Sequence, residues 1–227
     1  MKKIILFASI ILTSCSGPQI YSPYLHATAS PMQKDQGQLI GAAGLLPKTH
    51  IDTEPGSISG SAVSRFGGEL ALRYAFTDRL TLQAKAWHDL SQAHVSLGGF
   101  SFSGIYRFDT ARGGLRWALV PQFGIVYDGN AIQGRGAAIS ALAWLPRFGP
   151  AQPYLAFGPM IGTRQWDFEN YEWGWGLLGN IGAGFELPAN FTATIEVATA
   201  FQADQYEKKN FFILAPSIGI GWRFENR

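Results

Sequence analysis

The sequence predicts an all-β chain folded as an antiparallel, up-and-down transmembrane β-barrel of about ten strands, with eight as the alternative count. Three observations lead there. Apolar residues recur at every second position over long stretches, which is the period of a strand and not of a helix. The connections between those stretches alternate between short and long. Charged residues are 15% of the 227-residue chain against 47% hydrophobic residues, whereas a soluble domain is usually about a quarter charged. The apolar residues are dispersed among Gly, Ala, Ser and Thr and are not gathered into core segments. A formal net charge of +2, with no basic patch or charge run, argues against a nucleic-acid partner.

From the N-terminus, Lys2 and Lys3 precede an apolar run over 4–12. A spanning helix needs about 20 apolar residues, so this run reads as a signal peptide over 1–14. It closes on Leu12-Thr13-Ser14-Cys15, which holds the only cysteine of the chain. One cysteine cannot form a disulfide within its own chain. The tetrad resembles the lipobox of bacterial lipoproteins. That resemblance implies a diacylglycerol on the Cys15 thiol, cleavage just before it, and no other cofactor. No Asp follows Cys15 and no acidic run lies behind it. In lipoproteins this implies an outer-membrane location with the anchor in the periplasmic leaflet. Residues 15–36 include "SGPQIYSPYLHATASPMQKDQ", which has turn prolines and no period, and read as a periplasmic, lipid-anchored tether.

The barrel is expected over 37–224, with strands near 37–46, 63–76, 80–89, 98–108, 114–127, 135–145, 152–165, 174–187, 191–202 and 211–224. In the second strand Leu70, Leu72, Tyr74 and Phe76 share one face, and Glu69, Ala71, Arg73 and Ala75 the other. In the third, Leu80, Leu82, Ala84 and Ala86 oppose Thr81, Gln83 and Lys85. The fifth, eighth and ninth alternate as clearly. The first and sixth alternate poorly, and from this comes the alternative of eight strands. Short turns are expected at 77–79, 109–113, 146–152 and 188–190. Longer loops are expected at 47–62, 88–97, 128–134, 166–173 and 203–210. An even strand count brings both termini to the short-turn side, the side on which the lipid anchor also belongs.

The last strand, "SIGIGWRF", resembles the C-terminal insertion signal of small bacterial outer-membrane barrels in Ser217, Gly219, Trp222 and Phe224. Here Glu225, Asn226 and Arg227 follow, whereas that family often ends on the aromatic itself. The chain also looks like the uncharacterised barrel lipoproteins of Gram-negative bacteria, a resemblance that implies no activity. Aromatics gather near strand ends in two belts. Tyr74, Phe76, Phe108, Phe185, Phe191, Trp222 and Phe224 lie toward the turns. Trp87, Phe100, Tyr127, Trp175, Phe201 and Phe212 lie toward the loops.

Turning the apolar faces to lipid sends Glu69, Arg73, Lys85, Arg107, Arg116, Glu186, Glu196 and Arg223 into the lumen. Most sit toward the periplasmic half of their strands, so they are expected to share a level, pair as ions and plug the barrel. His94-Val95-Ser96 has the His-x-Ser order of outer-membrane phospholipases, but no matching partner residue follows, so polar loop residues are the better reading. His88-Asp89 falls short of a three- or four-ligand metal site, and no metal is expected. The aromatic-acidic loop 165–176 reads as belt, with binding of a sugar or protein as the alternative. The function expected is that of a non-enzymatic structural or interaction barrel, a subunit of an envelope complex. It would meet outer-membrane lipid and a protein partner through 16–36 or the outer loops. A narrow solute channel and a lipid-modifying enzyme are the alternatives.

Overall fold

A computed structural model describes residues 24–27, 31–46, 65–90, 98–108, 116–128, 131–165, 171–204 and 210–225. Ten strands follow one another: β1 (Gln36–Leu46), β2 (Arg65–Ala75), β3 (Leu80–Asp89), β4 (Gly98–Phe108) and β5 (Arg116–Asp128), then β6 (Ala131–Trp144), β7 (Ala151–Gln165), β8 (Tyr171–Glu186), β9 (Phe191–Asp204) and β10 (Asn210–Glu225). Each pairs antiparallel with its neighbour in sequence, and β1 pairs with β10 to close the ring. The count is ten, so the eight-strand alternative falls.

The period of two decides which way each side chain points, because successive Cβ atoms leave opposite faces of a strand. Leu70, Phe123 and Ile220 face outward at 56%, 59% and 62% exposure, in a wall that also carries Leu39, Leu72, Phe157, Ile181 and Ile218. Inward-facing positions hold Gln38, Arg73, Gln83, Lys85, Ser101, Ser103, Gln122, Asn180 and Glu196, all buried. Apolar outside and polar inside is the inverse of a soluble barrel. It is the pattern of a barrel that spans a bilayer.

β1 and β6 alternate poorly in sequence because small residues occupy both of their faces. At the β1–β10 seam this smallness is required. A Cβ on Gly37 would lie 2.1 Å from the Phe224 ring, and one on Gly44 would lie 2.8 Å from the Tyr24 hydroxyl. Further along, a Cβ on Gly158 in β7 would lie 1.8 Å from the Ile139 carbonyl oxygen in β6. β6 and β7 therefore approach too closely there for any side chain.

One connection and one belt residue depart from the sequence expectation. The loop expected over 128–134 is much shorter, since β5 runs to Asp128 and β6 starts at Ala131, with a register shift at Val126/Tyr127. A bulge absorbs a residue within the ladder and lets pairing continue past it. The β8–β9 turn is short where a short turn was expected, at 188–190, with Ala189 and Asn190 at φ of 57° and 64°, as a type I′ hairpin turn demands. Trp87, expected in the loop-side belt, is buried in the lumen at 3% exposure. It is one residue out of phase with Ala84 and Ala86, so the pleat turns it inward.

Candidate functional site: a charge clamp in the lumen

An eight-stranded barrel is filled by its own side chains, and one of 16 strands or more holds a channel. Ten strands fall between these limits, so side chains from the wall alone leave a core to be filled. The described part of the N-terminal segment fills it. Tyr24, Leu25, His26 and Ala27, expected in a periplasmic tether, are buried inside the barrel at 1–4% exposure. The tether reading is corrected for these residues. Apolar side chains in a stretch without a period still seek burial, and the lumen is the burial site within reach.

Two apolar clusters receive the segment. Tyr24 packs with Trp87, Val126, Ala138, Met160, Leu178, Ala198, Ala200 and Ala215. Leu25 and Ala27 pack with Ile105, Ala118, Val120, Leu142, Trp144, Tyr154 and Ala156.

The charged side chains hold its backbone. Glu196 on β9 accepts from the Leu25 N–H at 2.7 Å and the His26 N–H at 2.6 Å, one to each carboxylate oxygen. The Asn180 amide on β8 donates to the same carboxylate at 2.8 Å, and the Tyr154 hydroxyl on β7 donates to it as well. His26 adopts φ of 48°. A left-handed residue in such a place turns successive N–H groups the same way, making an anion-binding concavity. His is among the residue types that tolerate that conformation. Its Nδ1 lies 3.1 Å from Thr194 Oγ1.

Cations meet the carbonyls. The Arg73 guanidinium donates to the Leu25 carbonyl, and its Nε donates to Gln83 Oε1 at 2.5 Å. Lys85 Nζ donates to the Tyr24 carbonyl and lies 3.7 Å from Glu69 Oε2. Arg107, half-buried, donates to the Met32 carbonyl at 2.9 Å. Glu69 Oε1 lies 3.8 Å from His26 Nε2. A void of about 10 Å³ adjoins Glu69, Tyr24 and Trp87, enough for a single water.

The eight charges expected to form one interlocked layer separate into groups. Glu69, Arg73, Lys85 and Glu196 surround residues 24–27, and Arg107 reaches Met32. Glu186 sits at the short-turn rim with Arg147 at 3.3 Å and Arg223 at 3.6 Å. Arg116 is exposed at the start of β5. They do not share a level: Glu69 stands opposite Ala42 in the ladder and Arg73 opposite Gln38. The register positions of β2 separate them, and side-chain length brings Arg73 back toward Leu25.

In the expected insertion signal, Ser217 is buried in the lumen and Trp222 is exposed on the outer wall. The Trp222 and Phe224 rings lie 5.5 Å apart. Gly219 approaches the segment closely, since a Cβ there would meet His26 Nδ1 at 3.2 Å. Cys15, His94, Ser96 and the middle of the 165–176 loop lie outside the described residues. His88 points outward and Asp89 inward, so they cannot share a metal. Among the described residues no group of three His, Cys, Asp or Glu side chains could hold one.

Several clamp residues were not singled out from the sequence. Asn180, Gln38, Gln83 and Thr194 occupy inward positions of alternating strands, and an amide or hydroxyl at such a position is a legible signal. Tyr154 carries the same signal in β7. For residues 24–27 the only hint is Tyr24-Leu25 between Pro23 and Pro31 in an otherwise polar stretch.

No protein-family model and no curated protein matches the chain. Among solved structures, the N-terminal β-barrel domain of Pseudomonas aeruginosa OprF is 13% identical with a TM-score of 0.34, covering 85% of this chain and 100% of that one. Ail, the attachment invasion locus protein of Yersinia pestis in complex with the heparin analogue sucrose octasulfate, is 12% identical with a TM-score of 0.35, covering 85% and 100%. The outer membrane protein OprG from Pseudomonas aeruginosa is 13% identical with a TM-score of 0.34, covering 88% and 100%. Scores this low carry no argument. The closed strand order and the chemistry of the two wall faces carry it instead.

Proposed function

We propose that the protein is an integral outer-membrane barrel of a Gram-negative bacterium, acylated at Cys15. In this reading it serves as a structural or interaction component of the envelope and is neither a pore nor an enzyme. One observation carries the reading against the channel alternative. Residues 24–27 occupy the lumen, and Glu196, Arg73 and Lys85 are spent on their backbone. A solute path through the barrel would have to displace a segment held by charge-assisted hydrogen bonds, each contributing about 1.5–3 kcal/mol. The lipobox resemblance supports acylation, and the polar inner and apolar outer faces support the membrane. Outer-membrane lipid is then one partner and an envelope protein the other, met through the outer loops or the undescribed N-terminal residues.

Planar-bilayer recording tests the reading. The purified full-length protein should show no steady conductance, and deletion of residues 16–31 should open a small one, well below porin scale. Large, steady, solute-permeable channels from the intact protein would overturn it.

A further inference from the structure

The lumen recognises residues 24–27 largely by their main chain. Glu196 accepts the N–H groups of Leu25 and His26, Lys85 donates to the Tyr24 carbonyl, and Arg73 donates to the Leu25 carbonyl. Every residue other than proline carries both kinds of group, so a different peptide satisfies the same charged side chains.

Sequence enters at a few points. The Tyr24 hydroxyl donates to the Leu45 carbonyl, and its ring packs with Trp87 and Leu178. Leu25 and Ala27 fill apolar space with Leu142 and Tyr154. At position 26 the φ of 48° asks for a residue that tolerates the left-handed region, as His does and as Gly, Asn and Asp also do. A proline at 25 or 26 would remove an N–H that Glu196 accepts.

Displacement of the segment by a solute and by a peptide differ in energy. A solute leaves Glu196, Arg73 and Lys85 without the groups they hold, and an unmatched buried charge is costly. A peptide returns each bond in kind, so the tether is what opposes it. Residues 24–27 and β1 belong to one chain, and a short connection presents its end at an effective concentration of about a millimolar. A competing segment has to be presented near that level, which a protein docked on the same barrel does.

We propose that the lumen is a peptide-binding site, filled in this chain by residues 24–27, and that it accepts in their place a segment of an envelope partner. That segment carries a phenolic ring, an aliphatic residue, a residue tolerant of the left-handed conformation and a small residue, in that order. The proposal rests on the functional reading above for the partner's being an envelope protein. Failure of Cys15 to be acylated would count against that reading and leave peptide binding untouched.

Full-length His26→Pro, which loses one clamped N–H and has φ fixed at about −65°, is refolded from urea into detergent with a fluorescein-labelled synthetic peptide of residues 21–29. Refolding in its presence removes any need to enter a closed barrel. The label should migrate saturably with the folded band on a semi-native gel. A peptide with His26→D-Ala should bind at least about fivefold more tightly than one with His26→Ala, because the left-handed region is costly to an L-residue. A peptide with Leu25→Pro should not bind. Equal affinity of the D- and L-alanine peptides, binding of the Leu25→Pro peptide, or no co-migration at all would overturn the proposal. If His26→Pro does not fold, the unaltered chain is refolded with about 10 mM peptide, above the tether's effective concentration, carrying Tyr24→benzoylphenylalanine. Photo-cross-links to Trp87 or Leu178 then support the site, and cross-links confined to the outer wall, or none, overturn it.

Discussion

Glu196 is where the wall and the buried segment 24–27 meet, and Glu196→Gln isolates its charge at nearly constant volume. The carboxylate takes four donors: the N–H groups of Leu25 and His26 at 2.7 and 2.6 Å, the Asn180 amide at 2.8 Å, and the Tyr154 hydroxyl. A glutamine keeps one acceptor oxygen and presents an NH₂ in place of the other. One backbone N–H of the segment then faces a donor, losing a charge-assisted bond of about 1.5–3 kcal/mol. Arg73 and Lys85 remain nearby with one carboxylate, Glu69, to balance them. Removing one partner from a buried ionic network typically costs about 3–5 kcal/mol, and the lost bond is part of that figure. We expect destabilisation of that order, read as a lower midpoint for loss of the heat-resistant folded band in urea titration of the detergent-folded barrel. Glu186→Gln is the comparison, because it removes the same charge from the half-exposed rim beside Arg147 and Arg223. Solvent-screened pairs of that kind contribute at most about 1 kcal/mol. If Glu196→Gln unfolds within about 0.5 kcal/mol of the native protein, or no earlier than Glu186→Gln, the clamp does not hold the lumen.

Gly158→Ala should prevent the β6–β7 ladder from closing, because its Cβ would meet the Ile139 carbonyl at 1.8 Å, whereas Gly41→Ala, with nothing within 4 Å, should be accommodated. The folded fraction on a semi-native gel reads the contrast, and equal yields would refute the close approach. Cells grown with a palmitate analogue should label the native chain and leave Cys15→Ala unlabelled. Equal labelling of both would remove the anchor.

The barrel was legible because its signal is periodic. A residue such as Leu72 needs no long-range information to be assigned outward: its position relative to Arg73 and Ala71 decides it. Strand ends were less legible. Val126 and Tyr127 sit at a register shift that no alternation announces, and the β5–β6 connection was overestimated for that reason. The inward charges Glu69, Arg73, Lys85 and Glu196 could be named from the same period, but not their partners. A period of two places a side chain on a face and says nothing about what occupies the space in front of it. That space belongs to residues 24–27, which have no period at all.

The physical reason for that occupancy ties the site to the strand count. Eight strands would leave no room for a backbone, and a porin-sized ring would leave too much room for one to be held. At ten, a single stretch of chain with the side chains Tyr24, Leu25 and His26 is buried within the ring. Two small residues of β1 and β10 follow from the same fit, since a Cβ on Gly44 would meet the Tyr24 hydroxyl at 2.8 Å and one on Gly219 would meet His26 Nδ1 at 3.2 Å. The lumen charges then have a role that pairing among themselves would not serve. An ion pair closes on itself, whereas a carboxylate facing two N–H groups and a guanidinium facing a carbonyl require a peptide between them. Glu196 and Arg73 are therefore arranged to hold a chain, and the chain they hold is their own.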